Sequence, residues 1–428
     1  MASESLDFYR SSGLSEVDPE IASLLERELE RQRGTIELVA SENFAWPGVL
    51  EALASSVTNK YASGYPGERH YPGCEIADEI EQLAIDRAKT LFGAEHANVQ
   101  PYAGTTANEA VYLACLEPGD TILSLPFAQG GHPTHGDEIN LSGKLYKAVS
   151  YEVRRDTFLI DYNQVRSLAL EHRPRLIICG GSAYPRIVEV EKFREIADEV
   201  GALLLCDMAH FAGLVAAGLY PNPVPLCDFV TSTTHKTLAG PRAGFILCKA
   251  GHAQAVDEGV FPVLQGGPLL DTIAAKATCF EIAASQAFAD YQRRVRANAD
   301  RLAAELAAGG LEILTGGTDT HMLVVDLRSI EWTGAAAESR LHEVGVAANE
   351  IDIPFDERPA DETSGLRLGS PAVTMRGFDE QDMVEVASIV AGALRADADL
   401  ASLRTRSAAL CARRPLYPGF GGYCHYRP

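Results

Sequence analysis

The sequence predicts an α/β protein built on a mostly parallel sheet, and two features predict it. Between residues 97 and about 250, strand-like runs alternate with helical ones, the order that sets parallel strands side by side with helices on their faces. Two of those runs also end in chemistry. Ala202-Leu-Leu-Leu-Cys-Asp207 stops at a carboxylate, and Phe229-Val230-Thr-Ser-Thr-Thr breaks into a polar turn carrying His235 and Lys236 before Gly240-Pro241. In open parallel sheets the ligand crevice lies beyond the carboxyl ends of the strands, so Asp207 and Lys236 face one crevice.

Taken from the N-terminus, residues 1–17 read as a loose leader. Asp18-Pro19 opens a helix, Asp as the cap and Pro in the first turn, that runs to about Gln32 and stops at Gly34. Residues 35–75 are dense in polar and aromatic groups with little periodicity, which in a compact protein marks a functional stretch. Glu75–Phe92 is an amphipathic helix, with Ile76, Ile80, Leu83, Ala84, Ala88 and Leu91 at helical spacing.

Strands are expected at 97–101, 121–125, 145–151, 175–180, 202–206, 228–232 and 244–248, with helices between most of them, as at 191–200. Residues 268–309 read as one long Ala-rich helical region. Beyond it, strands at 311–315, 321–326, 346–349 and 365–368 mix with helices at 334–344 and 378–395, the pattern of a smaller α+β domain. The tail, with Arg413-Arg414-Pro, Tyr417-Pro and Tyr423-Cys-His-Tyr, is expected to be irregular. The implied division is an N-terminal arm and helix over 1–40, a large domain over 41–285 and a small one over 286–428.

The formal net charge of −22 argues against nucleic acid or an anionic membrane as a partner. The nine cysteines form no C-x-x-C pair, and several lie in apolar runs, which suits free thiols in a reducing cytoplasm rather than disulfides or a metal site. With no basic-then-apolar leader and no stretch of membrane-spanning length, the expectation is a soluble cytoplasmic protein.

A lysine held at a strand end in a dry pocket has a lowered pKa and becomes an amine nucleophile. A Schiff-base lysine and a carboxylate for a protonated pyridine nitrogen are the two protein groups that pyridoxal 5′-phosphate requires. A third element, Ala103-Gly104-Thr105-Thr106-Ala107-Asn108, opens an apolar helix with small and hydroxylated residues, a cradle for phosphate at a helix N-terminus. The three together point to that cofactor.

From about Pro19 to Leu394 the chain resembles the serine hydroxymethyltransferases. The likeness is carried by Ile36-Glu-Leu-Val-Ala-Ser-Glu-Asn, Thr58-Asn-Lys-Tyr-Ala, Ala97-Asn-Val-Gln-Pro, Cys206-Asp-Met-Ala-His-Phe-Ala-Gly, Thr233-Thr-His-Lys-Thr-Leu-Ala-Gly-Pro-Arg, Gln265-Gly-Gly-Pro and Ser364-Gly-Leu-Arg-Leu-Gly. The resemblance implies fold type I, aspartate-aminotransferase-like, with a large seven-stranded domain and a smaller α+β domain. By the same likeness Lys236 would hold the cofactor, Asp207 would pair with the ring nitrogen, and His210 and Ser182 would lie near the ring hydroxyl. Gly104, Thr105 and His235 would sit at the phosphate, with Tyr61, Gly266 and Gly267 reaching it from the neighbouring subunit of a homodimer or dimer of dimers. Arg367, aided by Ser41 and Tyr71, would clamp the substrate carboxylate.

The chain departs from the family pattern mainly where the family holds tetrahydrofolate. The family's Ala-His-Gly-Gly-His, with a histidine stacked on the ring, is Ala128-Gln129-Gly130-Gly131-His132 here, leaving a planar amide as the cover. The family's Tyr-Ala-Glu-Gly-Tyr is Tyr61-Ala-Ser63-Gly-Tyr, and serine cannot replace a carboxylate in acid–base work near neutral pH. A folate-wall tyrosine is His70, a possible substitute acid or base. The family's Asn-Lys-Asn is Asn349-Glu350-Ile351, which offers a pterin no amide.

These changes make tetrahydrofolate doubtful. They favour a folate-independent activity similar to the L-threonine transaldolases, in which a glycine-derived carbanion released from threonine attacks another aldehyde. The alternatives are serine hydroxymethyltransferase itself, a threonine aldolase or α-methylserine-type enzyme, and, from a different class, a non-catalytic pyridoxal-phosphate-binding homologue. On any catalytic reading the reaction makes or breaks the Cα–Cβ bond of a β-hydroxy-α-amino acid.

Overall fold

The structure is a computed structural model and describes residues 6–359 and 361–419. Its main sheet has seven strands: β1 (His96–Asn98), β2 (Thr121–Ser124), β3 (Lys147–Ser150), β4 (Leu176–Gly180), β5 (Leu203–Asp207), β6 (Phe229–Thr233) and β7 (Gly244–Cys248). They lie in the order β1-β7-β6-β5-β4-β2-β3. Only β7 runs against its neighbours, pairing antiparallel with β6 and β1. β4 and β6 are buried along their whole length, because helices cover both faces; hence the near-continuous apolar sequence instead of alternation.

Helix α1 (Pro19–Gly34) begins where the Asp18 carboxylate accepts the Ile21 N–H at 3.0 Å. Helix α2 (Glu75–Phe92) ends on Gly93, whose φ of 72° places it in the left-handed region. Helix α3 (Gly104–Cys115) and helix α4 (Val190–Val200) follow β1 and β4. The Ala-rich region divides into α5 (Leu270–Ala283) and α6 (Gln286–Ala308). Ser285 makes the break, its hydroxyl accepting the Phe288 N–H and so starting a second helix.

A second sheet, β8 (Glu312–Ile313), β9 (Met322–Asp326), β10 (Asn349–Ile351) and β11 (Gly365–Gly369), is antiparallel throughout, in the order β8-β9-β11-β10. Helices Gly334–Glu343 and Glu380–Ala393 accompany it. Its apolar cluster unites Ile36 and Leu38 with Leu323, Leu366, Val386 and Leu403, so the segment after α1 is stitched to the C-terminal half. Ile36 and Glu37 pair in parallel with Val346 and Ala347, which splits the expected strand at 346–349 into a short bridge and β10.

Two expectations are corrected, and one helix was not foreseen. The leader is not loose where described: Leu6–Ser11 and Leu14–Val17 are helical, the second steadied by the Gly13 N–H donating to Glu16. The stretch 35–75 contains a helix, Pro47–Leu53, and a hairpin, Gly64–Tyr65 with Glu68–Arg69. The C-terminal region carries the helix Leu400–Arg413, capped by Asp399 and buried through Leu403, Leu410 and Cys411; Tyr423-Cys-His-Tyr lies outside the described residues. Among those residues no helix is long and apolar enough to cross a membrane, and the eight cysteines are unbridged.

Candidate active site

β5 delivers Asp207 as its last residue, and β4 can end beside it because residue 180 is glycine. Its φ is +95°, and a Cβ there would stand 2.1 Å from the Asp207 carbonyl oxygen. The Asp207 carboxylate is framed on three sides. Oδ2 accepts from Asn108 Nδ2 at 2.9 Å and from His135 Nε2 at 3.2 Å, and Oδ1 accepts from the Ala209 N–H at 3.0 Å. Burial opposes its charge, yet His135, His132 and Asn108 outweigh burial and hold the carboxyl below the usual carboxylate range. A buried, ionised carboxylate thus stands at the end of β5.

Lys236 sits three residues beyond the end of β6, in a turn held on both sides. Its carbonyl accepts from Asn43 Nδ2 at 2.9 Å, and the next residue, Thr237, donates its hydroxyl to the His210 carbonyl at 2.9 Å. Burial lowers the ammonium to about 8, with Asp207 opposing and Arg367 assisting. A large share of the side chain is therefore a free amine at mildly alkaline pH.

His210 is buried and stacks on His321, ring centroids 5.7 Å apart and planes 16° from parallel. Burial, then the charges of Lys236 and Arg367, keep His210 neutral. His235 is lowered to about 3 by burial, Lys236 and Arg242, and its Nε2 stands 3.4 Å from Arg242 Nη1. The Nδ1 atoms of His210 and His235 are buried without a hydrogen-bond partner. Buried polar atoms left open in this way fit a polar ligand that the protein alone does not replace.

Arg367 lies on β11 and is 7% exposed. Its Nε donates to Asn349 Oδ1 at 3.2 Å and its Nη1 to the Ser182 carbonyl at 2.7 Å. No carboxylate pairs with it among the described residues, and burial alone lowers it to about 10. Three of its five N–H groups remain for a ligand. The segment bearing Ser41 packs against the end of the same strand, where the Gly369 N–H donates to the Leu38 carbonyl and a Cβ on Gly369 would meet Ala40 Cα at 2.5 Å. Gly104 and Thr105 are the first two residues of α3. A Cβ on Gly104 would stand 2.7 Å from the Thr233 methyl, so the helix meets β6 only because no side chain intervenes.

The residues from the irregular stretch form a separate group. Tyr61, 60% exposed, meets Tyr71 edge-on at 4.8 Å. Gly267 lies against both Tyr61 and Ser63, while Gly266 stands in open space. Ser63 is buried between two carbonyls, those of Ala62 and Gly64, that both accept from Arg69 Nη1. Exposed His70 has its ring against Phe261 at 5.4 Å. No hydrogen bond, ion pair or ring contact joins this group to Lys236, Asp207 or Arg367 among the described residues.

The Gln129 amide is held in a fixed orientation by its neighbours. Its Oε1 accepts from the Val153 N–H at 2.8 Å and its Nε2 donates to Glu152 Oε1 at 3.2 Å, so both ends of the amide are engaged. Ile351 is buried in an apolar cluster with Ala183, Leu314, Val324 and Ile353.

Sequence reasoning missed His135 and His321 altogether and gave Asn108 no role. A signal for His135 existed: Gly131-His-Pro-Thr-His135-Gly136 packs two histidines into a loop bent by Gly130 and Gly136, both at positive φ. Asn108 was visible as a polar residue on the buried face shared by Ala107 and Val111.

Residues 14–390 match the family described as Serine hydroxymethyltransferase. The chain is similar to curated proteins of that name. It is 57% identical to the one from Clavibacter sepedonicus over 412 residues, 95% of this chain and 97% of the relative. To the one from Leifsonia xyli subsp. xyli it is 56% identical over 415 residues, 96% of each. To that of Kocuria rhizophila (strain ATCC 9341 / DSM 348 / NBRC 103217 / DC2201) it is 55% identical over 411 residues, 95% of this chain and 97% of the relative.

Proposed function

This chain belongs to the serine hydroxymethyltransferase family of fold type I pyridoxal-phosphate enzymes, and from that premise we propose that it cleaves and forms the Cα–Cβ bond of serine, exchanging the one-carbon unit with tetrahydrofolate. The observation that carries this reading is Arg367: a buried guanidinium that no carboxylate pairs with among the described residues, on the strand beside Asn349 and Ser182. It suits the carboxylate of an amino acid, which its remaining N–H fork receives in a fixed plane. The name shared by relatives of near-full coverage supports the hydroxymethyltransferase over the transaldolase that the sequence alone favoured.

The open Nδ1 atoms, the Gly104 cradle and the ionised Asp207 fit pyridoxal 5′-phosphate. Lys236 would hold its aldehyde carbon, Asp207 its ring nitrogen, His210 and Ser182 its ring hydroxyl, and Gly104, Thr105 and His235 its phosphate. Tyr61, Gly266 and Gly267 would approach the phosphate from a second copy in a homodimer. When bound, the cofactor supplies an electron-withdrawing ring that takes up the charge left at Cα as the bond to Cβ breaks. Asp207, held ionised, would keep a proton on the ring nitrogen. Arg367, with Ser41 and Tyr71, would hold the substrate carboxylate in a fixed plane. Lys236, uncharged in a large fraction above pH 8, takes and returns protons at Nζ.

A second reading, transfer of the glycyl unit from threonine to another aldehyde without folate, is favoured by Ser63 and Ile351. A carboxylate is missing from one and an amide from the other, and Ile351 is closed into an apolar cluster. Incubating the enzyme with serine or threonine, with and without tetrahydrofolate, decides between them. Folate-dependent serine cleavage at a rate well above the folate-free one supports the hydroxymethyltransferase. Acetaldehyde release from threonine that rises with an added aldehyde and ignores folate would replace it with the second reading.

A further inference from the structure

Lys276, in the middle of α5, is 1% exposed, a lysine in the core. Its Nζ donates to three main-chain carbonyls: Val99 at 2.5 Å, Gly244 at 2.8 Å and Pro101 at 3.0 Å. Three carbonyls match the three N–H groups of an ammonium, whereas a neutral amine has only two to give. Burial presses this ammonium down to about 7, with the charge of Glu81 opposing, and no carboxylate pairs with it among the described residues. A cation kept in the core at that cost has to stabilise something specific.

Two of the three carbonyls belong to the chain leading into α3, and the third, that of Gly244, opens β7. Val99 and Pro101 lie between β1 and the helix, and the Pro101 carbonyl also accepts the Gly244 N–H at 3.1 Å. Gly244 in turn touches the first turn of the helix, since a Cβ on it would stand 2.3 Å from the Ala103 carbonyl and 3.0 Å from the Gly104 nitrogen. Tyr102, between them, is tied by its N–H to Gln265 Oε1 at 2.9 Å. The ammonium therefore ties the chain just before Gly104 and Thr105 to the start of β7.

We infer that Lys276 is a positioning residue for the phosphate of the cofactor, holding the α3 turn in its anion-binding geometry through Val99, Pro101 and Gly244. The inference rests on the reading of the site given above. It is tested by binding of two probes to the full-length protein, pyridoxal 5′-phosphate and pyridoxal, which lacks the phosphate. Lys276→Met is expected to weaken pyridoxal 5′-phosphate by about tenfold or more while leaving pyridoxal bound as by wild type. Lys276→Gln, which keeps two donors, should fall between.

Equal weakening of both probes, or of neither, overturns the assignment, because a purely structural loss does not distinguish them. If neither variant folds, Lys276 is a determinant of the fold and the assignment is likewise wrong. Failure of the wild-type protein to bind pyridoxal 5′-phosphate sinks the functional reading as well, so the two failures are told apart.

Discussion

His135 Nε2 stands 3.2 Å from Asp207 Oδ2, and both groups are buried. The carboxylate has no proton to give, so Nε2 carries it, and His135 Nδ1 is left to accept from the His132 N–H at 3.4 Å. Asp207 thus holds its charge by way of a neighbour that need not itself touch the cofactor.

Replacing His135 with Leu removes that donor and leaves the carboxylate to Asn108 and Ala209. A lost hydrogen bond to a charged group costs about 1.5–3 kcal/mol, so cofactor affinity should fall by about tenfold or more. The spectrum of the bound cofactor should also change its pH dependence as the ring nitrogen is held less firmly. His135→Asn, which retains a donor, should recover part of both; unchanged spectra in H135L would show that His135 is a spectator.

Arg367 gives a second expectation. Lys is a point charge and cannot replace a fork held by Asn349 and Ser182. In Arg367→Lys the KM for serine should rise by about tenfold or more, with a smaller change in kcat, as steady-state kinetics would record. A loss confined to kcat would place the guanidinium away from the substrate carboxylate.

The buried histidines make the apoprotein sensitive to acid. Burial lowers His132 to about 4, His235 to about 3 and His321 to about 3. The unfolded chain takes up protons near pH 6.5 while the folded one does not, so their contribution is whole above 6.5 and is lost as pH falls. Each removes about 1.4 kcal/mol per pH unit from roughly pH 6.5 down to its folded value. Denaturant midpoints measured from pH 7 to pH 4 should drop steeply, and a flat profile would mean these rings are charged when folded.

Arg376 carries a prediction about stability alone. It donates to the carbonyls of Arg33 at 2.8 Å and Thr35 at 2.7 Å, at the end of α1, and to Cys411 at 3.1 Å and Arg414 at 3.0 Å, at the end of the helix Leu400–Arg413. One guanidinium caps two helix C-termini and joins the ends of the chain. Arg376→Met leaves those carbonyls unpaired and should cost about 2–4 kcal/mol in denaturant unfolding. A cost under about 0.5 kcal/mol, the range of an ordinary surface change, would show that water replaces the cap.

Much of this was legible in the sequence. Every strand of the main sheet was foreseen to within two or three residues, because β4, β5 and β6 are apolar runs ended by Gly180, Asp207 and the Thr-rich turn. The helix Leu400–Arg413 was not, since its buried positions Leu403, Ser407, Leu410 and Cys411 are too sparse and mixed to stand out. Lys236, Asp207 and Arg367 could be named from chemistry and family likeness. What the sequence could not give was direction. The turn of Gln129 onto Val153 and Glu152, and the approach of His135 to Asp207 from a loop 72 residues upstream, depend on packing that no spacing encodes.

The most direct measurement is the visible absorbance of the purified protein after pyridoxal 5′-phosphate is added, beside that of Lys236→Ala. The wild-type protein should gain a yellow band that shifts when glycine or serine is supplied. Lys236→Ala should lack the band of the covalently held cofactor. A wild-type protein that stays colourless, or a variant with the same band, would contradict the assignment of Lys236 and with it the account of the site.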